Sequence, residues 1–255
     1  MKPKKHAVPP KGNQKFRATT RQTPLMKETA KRFKGPPLKK AEQIGEFVLE
    51  RIPTQIGMGF ERKRIFRASA DSSLRNKRAI ELMYCAERSN LAISLLNAAG
   101  VKAWLARGLI FEENVAGKKW YFHDTVEFSV GGKVYSLDFL DDISHKGNVA
   151  PVLRKGPVEE HPHRLDAVVF LRGADSRQLR ARNWADYNKF SKRFIKNPYR
   201  ELRNDLRRIE LLGNNGIIPK KTAEALRERS KANFDRLEKW LAKRGAEAKP
   251  GSSKK

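Results

Sequence analysis

The chain has 255 residues, 39% of them hydrophobic, with 55 Lys and Arg against 28 Asp and Glu and a net charge of +27. That length allows one or two domains with one real core, and no apolar run approaches the roughly 18 residues of a membrane-spanning helix. A single cysteine excludes an internal disulfide, and the basic start has no apolar stretch behind it as a secretory signal would, so a reducing, cytoplasmic setting is expected.

The charge is unevenly spread. Residues 1–40 hold 13 Lys and Arg against 1 acidic residue, residues 41–176 hold 19 against 18, and residues 177–255 hold 23 against 9. A nearly neutral centre between flanks of +12 and +14 is the layout of a folded domain with polyanion-attracting attachments. Pro-Pro pairs at 9–10 and 36–37 and few large apolar residues mark 1–40 as a flexible arm. A short helix near residues 25–33 is expected there, formed on binding rather than alone.

From Lys40 onward, Ile44, Phe47, Val48 and Ile52 recur at helical spacing until Pro53. Asp71, Ser72 and Ser73 offer a cap to a helix of about ten residues leading to Tyr84. Cys85 opens an Ala- and Leu-rich helix stopped by Gly100, with Leu91, Leu95, Leu96 and Ala99 set to pack on a sheet. Residues 101–111 read as an interior strand, apolar on both faces. Residues 120–130 and 133–139 read as two strands around a Gly131-Gly132 hairpin turn. A loop rich in Pro, Gly and His then leads to a buried strand over 165–173.

Beyond it the spacing turns helical. Residues 184–195 carry Trp184, Tyr187, Phe190 and Phe194; the next helix carries Tyr199, Leu202, Leu206 and Ile209 and closes at Gly213. A last helix over 222–244 sets Leu226, Leu237 and Leu241 inward and stops at Gly245, forming an αα-hairpin with its predecessor. The expected organisation is a basic arm at 1–40, a core at 41–176, a basic helical extension at 177–246 and a disordered tail at 247–255.

The cysteine is the first candidate for chemistry. A thiolate is favoured at a helix N-terminus beside an imidazole, and the imidazole needs an orienting acceptor on its other nitrogen. The hairpin selects that acceptor. With Gly131 and Gly132 as loop residues, Val130 faces Lys133, Thr125 faces Asp138 and His123 faces Leu140. Side chains alternate along a strand, so His123 and Thr125 share a face. His123 and Asp138 are then diagonal neighbours, about 7–8 Å apart at the backbone. Asp124 points the other way, with Phe122, Val126 and Phe128 on the core side.

These stretches also resemble a known family. The run from Cys85 to Leu109, CAERSNLAISLLNAAGVKAWLARGL, is similar to the nucleophile helix and following strand of the transglutaminase-like superfamily. HDTVEF and GKVYSLDF resemble that family's His-bearing and Asp-bearing strands. The resemblance spans roughly residues 41–140 and implies an α+β, papain-like core, N-terminal helices on an antiparallel sheet, to which the helical spacing adds a C-terminal helical extension. It further implies a Cys acyl-enzyme formed on a peptide or protein amide, with Cys85 as nucleophile, His123 as proton carrier and Asp138 as its orienting group. The Cys85 backbone N–H is the expected oxyanion donor.

Other polar residues are expected to do less. Glu127 reads as a solvated strand glutamate sharing the His123 face. His145, His161 and His163, with Glu159 and Glu160, lack the spacing of a zinc site; no metal or cofactor is expected. The basic flanks are expected to meet RNA, DNA or a ribonucleoprotein through backbone charge. A catalytically silent scaffold that binds nucleic acid is therefore the alternative to a cysteine hydrolase or acyltransferase.

Overall fold

A computed structural model of the chain describes residues 22–53, 69–76, 84–114, 117–139, 151–156, 169–174, 189 and 198–247. Among them are helices α1 (Pro24–Ala30), α2 (Pro37–Arg51), α3 (Ala70–Asn76), α4 (Tyr84–Ala98), α5 (Pro198–Asn214) and α6 (Lys220–Glu247). The strands are β1 (Ala103–Asn114), β2 (Gly117–Val130), β3 (Lys133–Asp138), β4 (Val152–Lys155) and β5 (Val169–Gly173). The strands form one sheet in the order β4-β3-β2-β1-β5, antiparallel at every pairing. The fold is α+β, helices packed on an antiparallel sheet, consistent with a papain-like core.

The β2–β3 hairpin follows from two glycines. Gly131 and Gly132 have φ of 56° and 77°, the left-handed pair that a two-residue turn of the twisted type requires. Val130 consequently pairs with Lys133 and Val126 with Leu137. That register fixes which residues share a face.

One face of the sheet is apolar. Ala103, Leu105, Val126, Phe128 and Leu137 lie there, packed with Leu91, Leu95 and Leu96 of α4 and with Ile44 and Val48 of α2. Helix α4 ends as the sequence suggests: Gly100 takes φ 84°, and the N–H groups of Gly100 and Val101 cap the carbonyls of Asn97 and Leu96. Gly45 is needed where α2 meets the sheet, since a Cβ there would lie 2.7 Å from Pro151 Cβ.

The opposite face is covered by α5 and α6, which pack Ile209, Leu212, Ile218, Ala223 and Leu226 around Trp104 and Val134. The αα-hairpin of the sequence reading is formed, but it lies on the sheet as a layer of the same unit. Its turn is built differently too. Gly216, with φ 66°, is the capping glycine of α5, and its N–H reaches the Gly213 carbonyl. Gly213 remains helical and lets α5 approach α6, where a Cβ would stand 2.8 Å from Ala223 Cβ. Gly245 does not stop α6, which continues to Glu247.

Three further differences concern local segments. Helix α1 is part of the fold: Met26, Ala30 and Phe33 are buried and Thr23 caps the Met26 N–H, so residues 22–40 lie with the core rather than in an arm. Helix α3 is capped by Ser69, whose Oγ accepts from the Ser72 N–H, ahead of the expected Asp71. Asp71 instead accepts from Arg75 Nε and Thr23 Oγ1, which together hold its carboxyl below the usual range. Finally, β4 pairs with β3 inside the stretch read as a loop. Residues 1–21 and the expected helix at 184–195, apart from residue 189, lie outside the described residues.

Candidate active site

Helix α4 carries Cys85 in its first turn, with the residue half-buried. Three consecutive residues then anchor that turn. Glu87 Oε1 accepts from Ser73 Oγ at 2.6 Å, tying α4 to α3. Arg88, buried, donates from Nε to the Ile52 carbonyl and from Nη1 to the Phe139 carbonyl. Ser89 Oγ donates to the Asp124 carbonyl at 3.1 Å. Phe139 follows Asp138 and Asp124 follows His123, so the helix start is bonded to the backbone next to each member of the histidine–aspartate pair. Cys85 lies two to four residues before these anchors, about 3–6 Å along the helix axis.

His123 and Asp138 are in contact. His123 Nε2 and Asp138 Oδ1 are 2.6 Å apart, and both side chains are about 95% buried. In the neutral ring a carboxylate at that distance accepts the Nε2 hydrogen, and the lone pair is then on Nδ1. Asp124 is on the other face, as the alternation requires. It receives Arg107 Nε at 2.6 Å and Nη2 at 2.5 Å, a two-pronged pair between residues directly opposite in β1 and β2. The side chain of Phe122 lies outside those described, while Val126 and Phe128 are in the core.

Glu127 departs from its expected role as a solvated residue. Fully buried, it receives Arg172 through Nε at 2.8 Å and Nη2 at 2.9 Å, and Trp104 Nε1 at 2.7 Å. The Arg172 backbone N–H and Nη1 in turn meet Asp205 of α5, to which Ser230 of α6 donates at 3.1 Å. Three strands and two helices thus converge on a buried Glu127–Arg172–Asp205 chain. No single segment announces it, because Glu127 and Arg172 are 45 residues apart. Its sequence signal is an acidic residue flanked by Val126 and Phe128, standing opposite Trp104.

Thr125 lies between His123 and Glu127 on the same face. It is fully buried, and its Oγ1 has no hydrogen-bond partner. His145, His161, His163, Glu159 and Glu160 lie outside the described residues. Among the described residues no group of three His, Cys, Asp or Glu could hold a metal ion, and no helix is long and apolar enough to cross a membrane.

No protein-family model matches the chain, and no curated protein matches it. Among solved structures it is similar to a "Putative Cysteine Protease" from Cytophaga hutchinsonii, with 17% identity over 60% of this chain and a TM-score of 0.39. The alignment spans 43% of that protein's length. A likeness at this level assigns no activity, and the chemistry rests on the chain's own residues.

Proposed function

We propose that the protein is a transglutaminase-like cysteine hydrolase or acyltransferase acting on an amide of a peptide or protein. The observation that carries this reading is the buried His123–Asp138 pair, together with the first turn of α4, which bears Cys85 and is bonded to the carbonyls of Asp124 and Phe139, the residues that follow that pair. In the reaction, His123 Nδ1 takes the proton of the Cys85 thiol while Asp138 holds Nε2–H and stabilises the resulting imidazolium. The thiolate adds to the carbonyl carbon, and the oxyanion is met by the Cys85 backbone N–H at the start of the helix. Collapse breaks the C–N bond, His123 returns its proton to the leaving amine, and a thioester remains on Cys85. Water then gives hydrolysis and a second amine gives acyl transfer, each activated by His123 in turn.

A thiol-directed electrophile tests this directly. Iodoacetamide is expected to label Cys85 at neutral pH at least about tenfold faster in the native protein than in His123→Ala, because the imidazole accepts the thiol proton as the bond forms. Equal rates in the two proteins, both folded, would remove the nucleophile from the account.

A further inference from the structure

We propose that α1, the turn at Gly35 and one stripe of α2 form an ordered ridge that binds the phosphate backbone of a single-stranded nucleic acid. The ridge begins in a hollow between α1, that turn and the C-terminal end of α4. Lys27, Lys31, Lys34 and Lys40 line it, and no carboxylate does. Glu28 pairs with Lys31 at 2.7 Å outside the hollow, but with both side chains over 70% exposed that contact is worth little and yields readily to a phosphate.

Helix α2 extends the hollow into a track by segregating its charges. Lys40, Gln43, Phe47 and Arg51 fall on one stripe at steps of three and four, while Glu42, Glu46 and Glu50 recur every fourth residue on another. Phe47 gathers two guanidinium groups, Arg32 at 5.5 Å and Arg51 at 5.4 Å from its ring centre, and is braced by the edge of Phe33. Stacking of this kind orders a guanidinium without using its N–H donors, which remain for phosphate oxygens. Among the described residues neither arginine is paired with a carboxylate. From Lys40 to Arg51 the track runs about 16 Å, roughly the span of five stacked nucleotides at about 3.4 Å each.

The chemistry favours a nucleic-acid strand over an acidic protein. A protein partner needs apolar anchors, and the large exposed hydrophobic among the described residues is Leu211, on α5. Nor does the ridge carry groups to read bases: Gln43 already uses its Oε1 to accept the Lys34 N–H. Binding is therefore through phosphates and indifferent to sequence. Residues 1–21, which precede α1 in the sequence, hold seven Lys and Arg and no acid.

The test is fluorescence anisotropy with a labelled 12-nucleotide RNA of mixed sequence, using the full chain between 50 and 200 mM KCl. Lys27→Gln, Arg32→Gln and Lys34→Gln together should weaken binding at least about tenfold. They should also lower the slope of log K against log salt by about 2, at about 0.7 per lost contact. Arg203→Gln, Arg207→Gln and Lys220→Gln remove the same charge from α5 and α6 and should change affinity less than about twofold. All six positions are exposed, so both variants should keep the native circular dichroism and melting temperature. Equal weakening by the two sets would mean diffuse attraction and overturn the ridge. Absence of binding by the unaltered chain, or competition by poly-glutamate as effective as by unlabelled RNA, would overturn the nucleic acid.

Discussion

The two faces of the sheet balance apolar contact and charge pairing differently: the first buries the Arg107–Asp124 pair among apolar side chains, and the second buries a longer chain of charge pairs. On one, Leu105, Val126, Phe128 and Leu137 meet α2 and α4 through apolar area. On the other, His123, Glu127, Asp138 and Arg172 are buried among hydrogen bonds and charge pairs. Apolar contact is non-directional and tolerates a change of shape. A buried ion pair is held only while each charge keeps its partner. The second face also takes the apolar packing of α5 and α6, and it holds the candidate His123–Asp138 pair, while α4, which bears Cys85, packs on the first.

Substitutions of matched size should separate the two faces most clearly. Arg172→Met keeps much of the volume but leaves Glu127 and Asp205 facing each other without their cation, and should cost about 3–5 kcal/mol. Leu96→Met on the apolar face should cost less than about 1.5 kcal/mol. Urea titration reads both, and similar costs would erase the distinction. Next in size is Gly213→Ala, which forces a Cβ against Ala223 and should lose about 1–3 kcal/mol by overpacking. A helix-propensity gain instead would mean that α5 and α6 part easily. The smallest effect sharpens the comparison from the other side. Thr125 buries a hydroxyl with no partner, so Thr125→Val should raise stability by about 1 kcal/mol, seen as a higher melting temperature. A loss would show that the hydroxyl is satisfied in solution.

Much of this was legible in the sequence because it is local. Two adjacent glycines dictate the hairpin turn, the turn dictates the register, and the register brings His123 to Asp138 and turns Asp124 away. Gly100 likewise marks the end of α4. What stayed hidden depends on distant partners. Met26, Ala30 and Phe33 sit at helical spacing, but the surrounding lysines dominate the composition of that stretch. The choice between Gly213 and Gly216 as the cap of α5 turns on Ala223 across the hairpin. Four residues that match a half-buried edge strand, Val152 to Lys155, are too few to stand out beside Pro151 and Gly156. Glu127 could not be read as buried without Arg172, which arrives from beyond β4.

The central claim is that Cys85, His123 and Asp138 work as one unit, and a double-mutant cycle on the alkylation rate of Cys85 tests it most directly. His123→Ala and Asp138→Asn should each slow labelling at pH 7. The double variant should be about as slow as His123→Ala alone, since Asp138 acts only through the imidazole. Independent, multiplying effects of the two substitutions, or none from either, would contradict it.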